Sequence, residues 1–215
     1  MRLLFVEEVL TVYQLFFQIS DWVYKMIKVN LLWVVGLIGG GIFLGLMPAT
    51  TATFAVTRKW SNGDLDAPIG KVFWETYRGA FFTTNIIGTI YISIITILVV
   101  NLRITVLIPG TLMMILHYFI LFILLIFLIS LVLFFNLYTN YKFSISQYVF
   151  QSTANVFYSP MSLIMMFLGF LCIGWLLYQI PGLILFFSAV LPAYWSTTIC
   201  KKRFQKIENQ LSGRI

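Results

Sequence analysis

The chain has 215 residues, 60% of them hydrophobic and only 10% charged, and its mean hydropathy is +0.96. A soluble domain carries about 25% charged residues, so this composition excludes a water-soluble globular protein. It predicts an all-α, polytopic transmembrane helical bundle forming one domain over 1–215. In such a protein the net charge of +7 reads as basic loops gathered on one side of a bilayer, not as a nucleic-acid surface.

Residues 1–28 read as an amphipathic helix. At 100° per residue Glu7, Thr11, Gln14, Gln18, Asp21, Lys25 and Lys28 share a face opposite Phe5, Val9, Val12, Phe16, Ile19, Val23 and Met26. With Trp22 and flanking lysines it suits the membrane interface; a spanning helix with a covered polar face is the rival. These polar interruptions also argue against a cleavable signal. Residues 30–56 are the first apolar run, interrupted by Gly39, Gly40, Gly41 and Pro48. Gly41, Gly45, Ala49, Thr53 and Thr57 recur every fourth position, a ridge of small residues that lets another helix approach closely. A re-entrant or broken helix over 39–48 is the alternative.

Residues 57–81 read as a polar loop holding a turn, Ser61 to Asp64, and a short helix over 68–81. Its Lys71, Glu75 and Arg78 pair along one face, and Trp74 lies at the edge of that face. Arg58-Lys59-Trp60 reads as a membrane-edge anchor, with a headgroup or partner-carboxylate site as the minor alternative. Arg58, Lys59, Trp60, Phe73, Trp74 and Arg78 form the candidate contact surface for lipid or a protein partner. Gly41, Gly45, Pro48, Ala49 and Thr53 are the candidate packing residues.

Further spans are expected at 82–101, 107–136, 161–178 and 183–199, with a second amphipathic segment over 144–158 and a basic tail over 200–215. The third span, at about 45 Å, outruns the roughly 30 Å hydrocarbon core and must tilt or project. Ser159-Pro160 starts a helix as cap and first residue, and Gln179 to Gly182 joins the last two spans as a hairpin. Five spans result, or six if the N-terminal helix crosses or 39–48 re-enters. The loops 57–81 and 137–160 and the tail hold ten basic residues, against four on the other side. The first set is therefore expected in the cytoplasm, with the C-terminus.

Little in the sequence supports catalysis. Cys172 and Cys200 have neither disulfide nor zinc spacing, and His117 is a lone histidine read as a packing or headgroup residue. No cofactor is expected, and no phosphate-binding or hydrolase motif occurs. Asn85, Thr89, Ser93 and Thr96 share one side of the second span. They read as interhelical hydrogen-bonding groups, or as the wall of a polar path in a transporter or channel for a small solute.

Asn30-Leu31-Leu32-Trp33, the glycine run, Pro48 to Ala55, Arg58-Lys59-Trp60, Gly63-Asp64, Phe73-Trp74, Tyr77, Phe81 and Asn85 resemble the YesL-like family of bacterial membrane proteins, a domain of unknown function. The resemblance is strong over about 20–90 and weaker beyond, where the span pattern and Pro181-Gly182 agree. It implies a five- or six-span cell-membrane protein of Gram-positive bacteria, often encoded beside sugar ABC importers and polysaccharide-degrading enzymes. The expected function is therefore a non-enzymatic accessory to carbohydrate uptake, contacting an ABC transporter or its regulator.

Overall fold

The computed structural model describes the backbone of residues 2–158 and 160–212, and the side chains of 13–158 and 160–201. The described chain is helical: α1 Arg2–Gly39, α2 Phe43–Ser61, α3 Ile69–Leu107, α4 Thr111–Asn140, α5 Ile145–Tyr158 and α6 Pro160–Gln179. A 3-10 turn, Pro181–Leu183, leads into a short α7, Ile184–Phe187, and then α8, Val190–Ser212. Among the described residues four helices are long and apolar enough to cross a membrane: Tyr13–Gly39 within α1, α3, α4 and α6. Pro181–Phe187 with Val190–Lys201, bent by 59°, makes a fifth if counted as one broken span.

The run 30–56 is not one span. The chain reverses at residues 40–42, where Gly41 has φ 69° and Ile42, without a glycine's freedom, φ 66°. The α1 helix is continuous from Arg2, so no separate 1–28 helix exists, and α1 pairs antiparallel with α2. Trp33 Nε1 donates to Thr50 Oγ1 at 3.1 Å, and Trp22 meets Trp60 with ring centroids 5.6 Å apart. The turn is tight because Gly40 and Gly45 touch backbone to backbone. The N–H groups of Gly40, Gly41 and Ile42 pair with the carbonyls of Gly36, Ile38 and Leu37; a turn that satisfies its own backbone needs no polar side chains, which is why hydropathy runs straight through.

The centre of the bundle is α2, packed by α1, α3, α4 and α8. It is less apolar than the spanning helices, yet Gly45, Met47, Pro48, Ala49, Thr51, Ala52, Thr53, Phe54, Val56, Thr57 and Trp60 are all buried. Its hydroxyls are spent inward: Thr51 and Thr53 donate to carbonyls one turn back, and Thr57 meets Thr197 of α8 at 3.1 Å. Small and hydroxyl residues at the centre, with bulky apolar ones outside, suit association in lipid, where apolar side chains gain nothing by hiding. Gly45, Ala49, Thr53 and Thr57 of the small-residue ridge lie in this core, while Gly41 is exposed in the turn.

Charged residues 69–81 and the span 82–101 form one helix, so α3 has no boundary near Phe81. Its inner face carries Phe73, Tyr77, Ala80, Thr84, Ile87, Gly88 and Tyr91. Tyr77 Oη donates to the Gly36 carbonyl at 2.8 Å. The start of α2 meets α3 at Asn85 and Gly88. The turn of the α1–α2 hairpin therefore lies beside the middle of α3, and α3 runs on with α4 to the contact of Thr105 with His117.

Pro48 and Asn85 are coupled. Proline has no N–H, so Pro48 leaves the Leu44 carbonyl of the preceding turn without its helical donor. Asn85 Nδ2 of α3 donates to that carbonyl at 2.9 Å. Asn85→Leu is expected to cost about 1–2 kcal/mol in the natural chain. In a Pro48→Ala background the restored N–H takes over and the cost of Asn85→Leu falls toward zero. A double-mutant cycle of melting temperatures checks this; equal costs in both backgrounds would refute the coupling.

Near the C-terminus the expected span 183–199 is broken at Ser188–Ala189. Pro192 cannot donate one turn back, and Asn30 of α1 enters the gap. Asn30 Nδ2 donates to the Leu185 carbonyl at 2.8 Å, and its Oδ1 accepts from the N–H groups of Ala189 at 2.9 Å and Val190 at 3.2 Å. One amide side chain thus replaces a missing rung of the helix. Buried beside α4, Tyr91 Oη meets Ser130 Oγ at 2.6 Å and Ser152 Oγ of α5 at 2.5 Å. The α5 helix buries Tyr148, Ser152 and Val156, and α6 begins at Pro160; Ser159 lies outside the described residues.

Candidate functional site, the basic end of the bundle

The α2 helix ends on a compact turn. Asn62 N–H donates to the carbonyls of Arg58 and Lys59, Gly63 N–H to Trp60 and Asp64 N–H to Lys59, all within 3.0–3.1 Å. Gly63 takes φ 95°, the left-handed conformation that closes helices without strain. Lys25 of α1 holds Asp21 at 2.7 Å and reaches Asp66 of the α2–α3 connection at 3.3 Å, which ties that connection to the bundle.

Part of the positive charge here completes helix ends. Lys201 Nζ donates to the Ser61 carbonyl at 2.6 Å, and an Arg58 Nη donates to the Thr139 carbonyl in the last turn of α4. Cations at helix C-termini meet the negative end of the helix dipole, each worth about 0.3–1 kcal/mol when exposed. The basic bias that reads as a membrane-side signal is therefore also local chemistry. Beyond Lys201 the side chains of the tail lie outside the described residues.

Two of the six candidate contact residues are buried. Trp60 is 3% exposed, wedged among Trp22 and Tyr194, so it is core and not an edge anchor. Phe73 is wholly buried, and Arg58 is half-buried. Lys59 and Arg78 are exposed, and Trp74 is half-buried edge-on to Phe73 and Tyr77. The connection itself presents Asn62, Asp64, Leu65, Asp66 and Pro68.

Beside this surface lies a cleft of about 340 Å³ between the end of α2, the start of α3 and the end of α4. Ala55, Arg58, Lys59, Asn62, Val72, Thr76, Tyr138 and Thr139 line it. The Arg58 Nε is buried without a partner. Lys59 faces Asp64 at 3.9 Å, with both side chains about half exposed. The sequence points to Arg58 and Lys59; Tyr138 and Thr139 escape it, since their only signal is a polar run closing an apolar helix.

The proposed polar path does not lead inward. Thr89, Ser93 and Thr96 lie on the exposed side of α3, and Asn85 is half-buried at the Leu44 carbonyl. The interior polar groups come from elsewhere: Asn30, the Tyr91–Ser130–Ser152 cluster, and Asn136, which donates to Ser196 Oγ at 2.7 Å. His117 Nδ1 pairs with Thr105 Oγ1 at 2.9 Å. Cys172 is exposed and Cys200 buried. Among the described residues no three His, Cys, Asp or Glu side chains come together as metal ligands.

Residues 26–102, which carry Asn30, α2, the α2–α3 connection and Asn85, match the family model "Protein of unknown function, DUF624". Two proteins of Bacillus subtilis (strain 168) are similar over most of the chain. The first, described as uncharacterized protein YteU, is 33% identical over 87% of this chain and 84% of its own length. The second, uncharacterized protein YesV, is 30% identical over 87% and 90%. Uncharacterized protein YesL of the same organism is 36% identical over 39% of this chain and 40% of its own. No solved structure matches. With a relative of this identity aligned over most of both chains, and the family model centred on the α1–α3 core, the chain belongs to the YesL-like DUF624 family.

Proposed function

We propose that this is a non-enzymatic accessory protein of the cell membrane that works by contact at its basic end, and that this end faces the cytoplasm together with the C-terminus. The observation that carries the reading is the contrast between α2 and the connection that follows it. The polar central helix is filled in and its interior threonine hydroxyls are hydrogen-bonded. The connection after it stands exposed and charged, with Asp66 in a surface ion pair to Lys25. A protein built to conduct a solute keeps polar groups along a path; here they are used to pack helices. The excess of lysine and arginine supports the orientation, and the Bacillus relatives support a Gram-positive cell membrane.

The partner in this proposal is an ABC transporter for carbohydrate, or its regulator. That choice rests on the neighbourhood in which YesL-like proteins are often encoded, an argument by association. Contact is made through Trp74, Arg78 and Lys59 and the exposed connection. A photo-crosslinker at position 74 in native membranes is expected to yield an adduct with a transporter subunit or regulator. Lipid adducts alone would sink the docking reading.

A further inference from the structure

The cleft at the end of α2 has donors that packing leaves unused. Arg58 gives one Nη N–H to the Thr139 carbonyl, while its Nε–H is buried and unpartnered. The other buried polar atoms without a partner among the described residues are Trp60 Nε1, Ser61 Oγ and Asn136 Oδ1. Those three lie off the cleft: Trp60 packs against Trp22 and Tyr194, Asn136 meets Ser196, and none of the three lines it. Orphaned buried polar atoms mark a place where water or a ligand completes the structure. Of the four only Arg58 lines the cleft, and a guanidinium only donates, so what it lacks there is an acceptor.

The rest of the wall agrees. Arg58 and Lys59 bring two positive charges, Asn62 an amide and Thr76 a hydroxyl, and among the described residues no carboxylate lines the cleft. The helix dipole at the end of α4 offsets about half of one charge. Lys59 is held by Asp64 only at 3.9 Å, an exposed pair of little strength. At about 340 Å³ the cleft exceeds the volume of roughly ten waters at ~30 Å³ each. A single phosphate with a short alcohol attached therefore fits.

We propose that this cleft binds a phosphate ester. The Arg58 fork engages two of its oxygens, which guanidinium geometry suits, and Lys59 turns in from Asp64. The ester is either the headgroup of an anionic phospholipid or a small soluble phosphate. The site does not depend on which protein the basic end meets, and it stands or falls separately from the crosslinking result.

The test uses full-length protein. Bound phosphatidylglycerol is counted by native mass spectrometry after extraction from bilayers of phosphatidylcholine with and without phosphatidylglycerol. In parallel, glycerol phosphate and inorganic phosphate are titrated into protein in neutral detergent while the melting temperature is followed. Retention of the anionic lipid alone identifies a headgroup site; stabilisation by the soluble esters identifies a small-ligand site; either supports the cleft. Arg58→Gln is expected to weaken binding about tenfold, the loss of a charge-assisted contact. Lys59→Gln weakens it less, and Asp64→Asn strengthens it by freeing Lys59. Lys142→Gln, outside the cleft lining, is the control. A folded Arg58→Gln that binds like the natural protein overturns the proposal. Should Arg58→Gln fail to fold, identical affinities for Lys59→Gln, Asp64→Asn and the natural chain overturn it, as does the absence of any binding to either ligand.

Discussion

Asn30→Leu is expected to lower the melting temperature in mild detergent by about 6–12 °C. Asn30 is wholly buried and serves three backbone groups: the Leu185 carbonyl and the N–H groups of Ala189 and Val190. Leucine fills nearly the same space and serves none of them. Each buried backbone group left unpaired costs about 1–3 kcal/mol, and water does not reach the bundle core to repair it. A loss of about 3 kcal/mol converts to the stated shift at about 2–4 °C per kcal/mol for a chain of this length. Asn85→Leu removes one interhelical bond at a less buried site, and its cost of about 1–2 kcal/mol is expected to move the melting temperature less. Equal effects for the two substitutions would refute the view that Asn30 bridges the broken helix. The comparison controls for the loss of an asparagine as such.

What could be read from the sequence follows from which forces act locally. Hydropathy gave the helical class, the apolar part of α3 and the long α4, because a spanning helix must satisfy its own backbone whatever its neighbours do. The buried face of α5 follows from spacing alone. The reversal at residues 40–42 does not, because it sits inside an apolar run and its N–H groups pair with nearby carbonyls of the chain, so no polar side chain marks it. Lys71, Glu75 and Arg78 suggested a loop helix separate from the span, yet a helix has no reason to stop where the hydrocarbon does. Trp60 illustrates the limit of residue-type arguments. An interfacial tryptophan next to arginine and lysine usually marks a headgroup anchor, and here it is packed against Trp22 and Tyr194. The two charged residues of the cleft were visible and its two α4 residues were not, because a cleft between three helices is a property of their packing.

The three consecutive glycines make the sharpest distinction between sequence and structure, and the second large effect is expected just beyond them. Gly45→Ala is expected to cost about 3 kcal/mol, the upper end for overpacking. A Cβ at Gly45 would sit 2.4 Å from the Leu37 carbonyl oxygen and 2.7 Å from that of Gly36. Both obstacles are backbone, so no rotamer change relieves them, and the α1–α2 hairpin must open. Opening it also pulls on the Tyr77 bond to Gly36 and the Asn85 bond to Leu44. Gly39→Ala, six residues away, meets nothing within 4 Å in a helical position. Alanine there is expected to be neutral or to stabilise by up to about 1 kcal/mol, since it restricts the unfolded chain more than glycine does. Thermal unfolding of the pair in the same detergent checks the contrast: a drop of about 6–12 °C for Gly45→Ala at about 2–4 °C per kcal/mol, and none for Gly39→Ala. If both variants melt alike, the α1–α2 hairpin is not held by close backbone approach at Gly45. The centre of the bundle would then have to be held by its side chains alone.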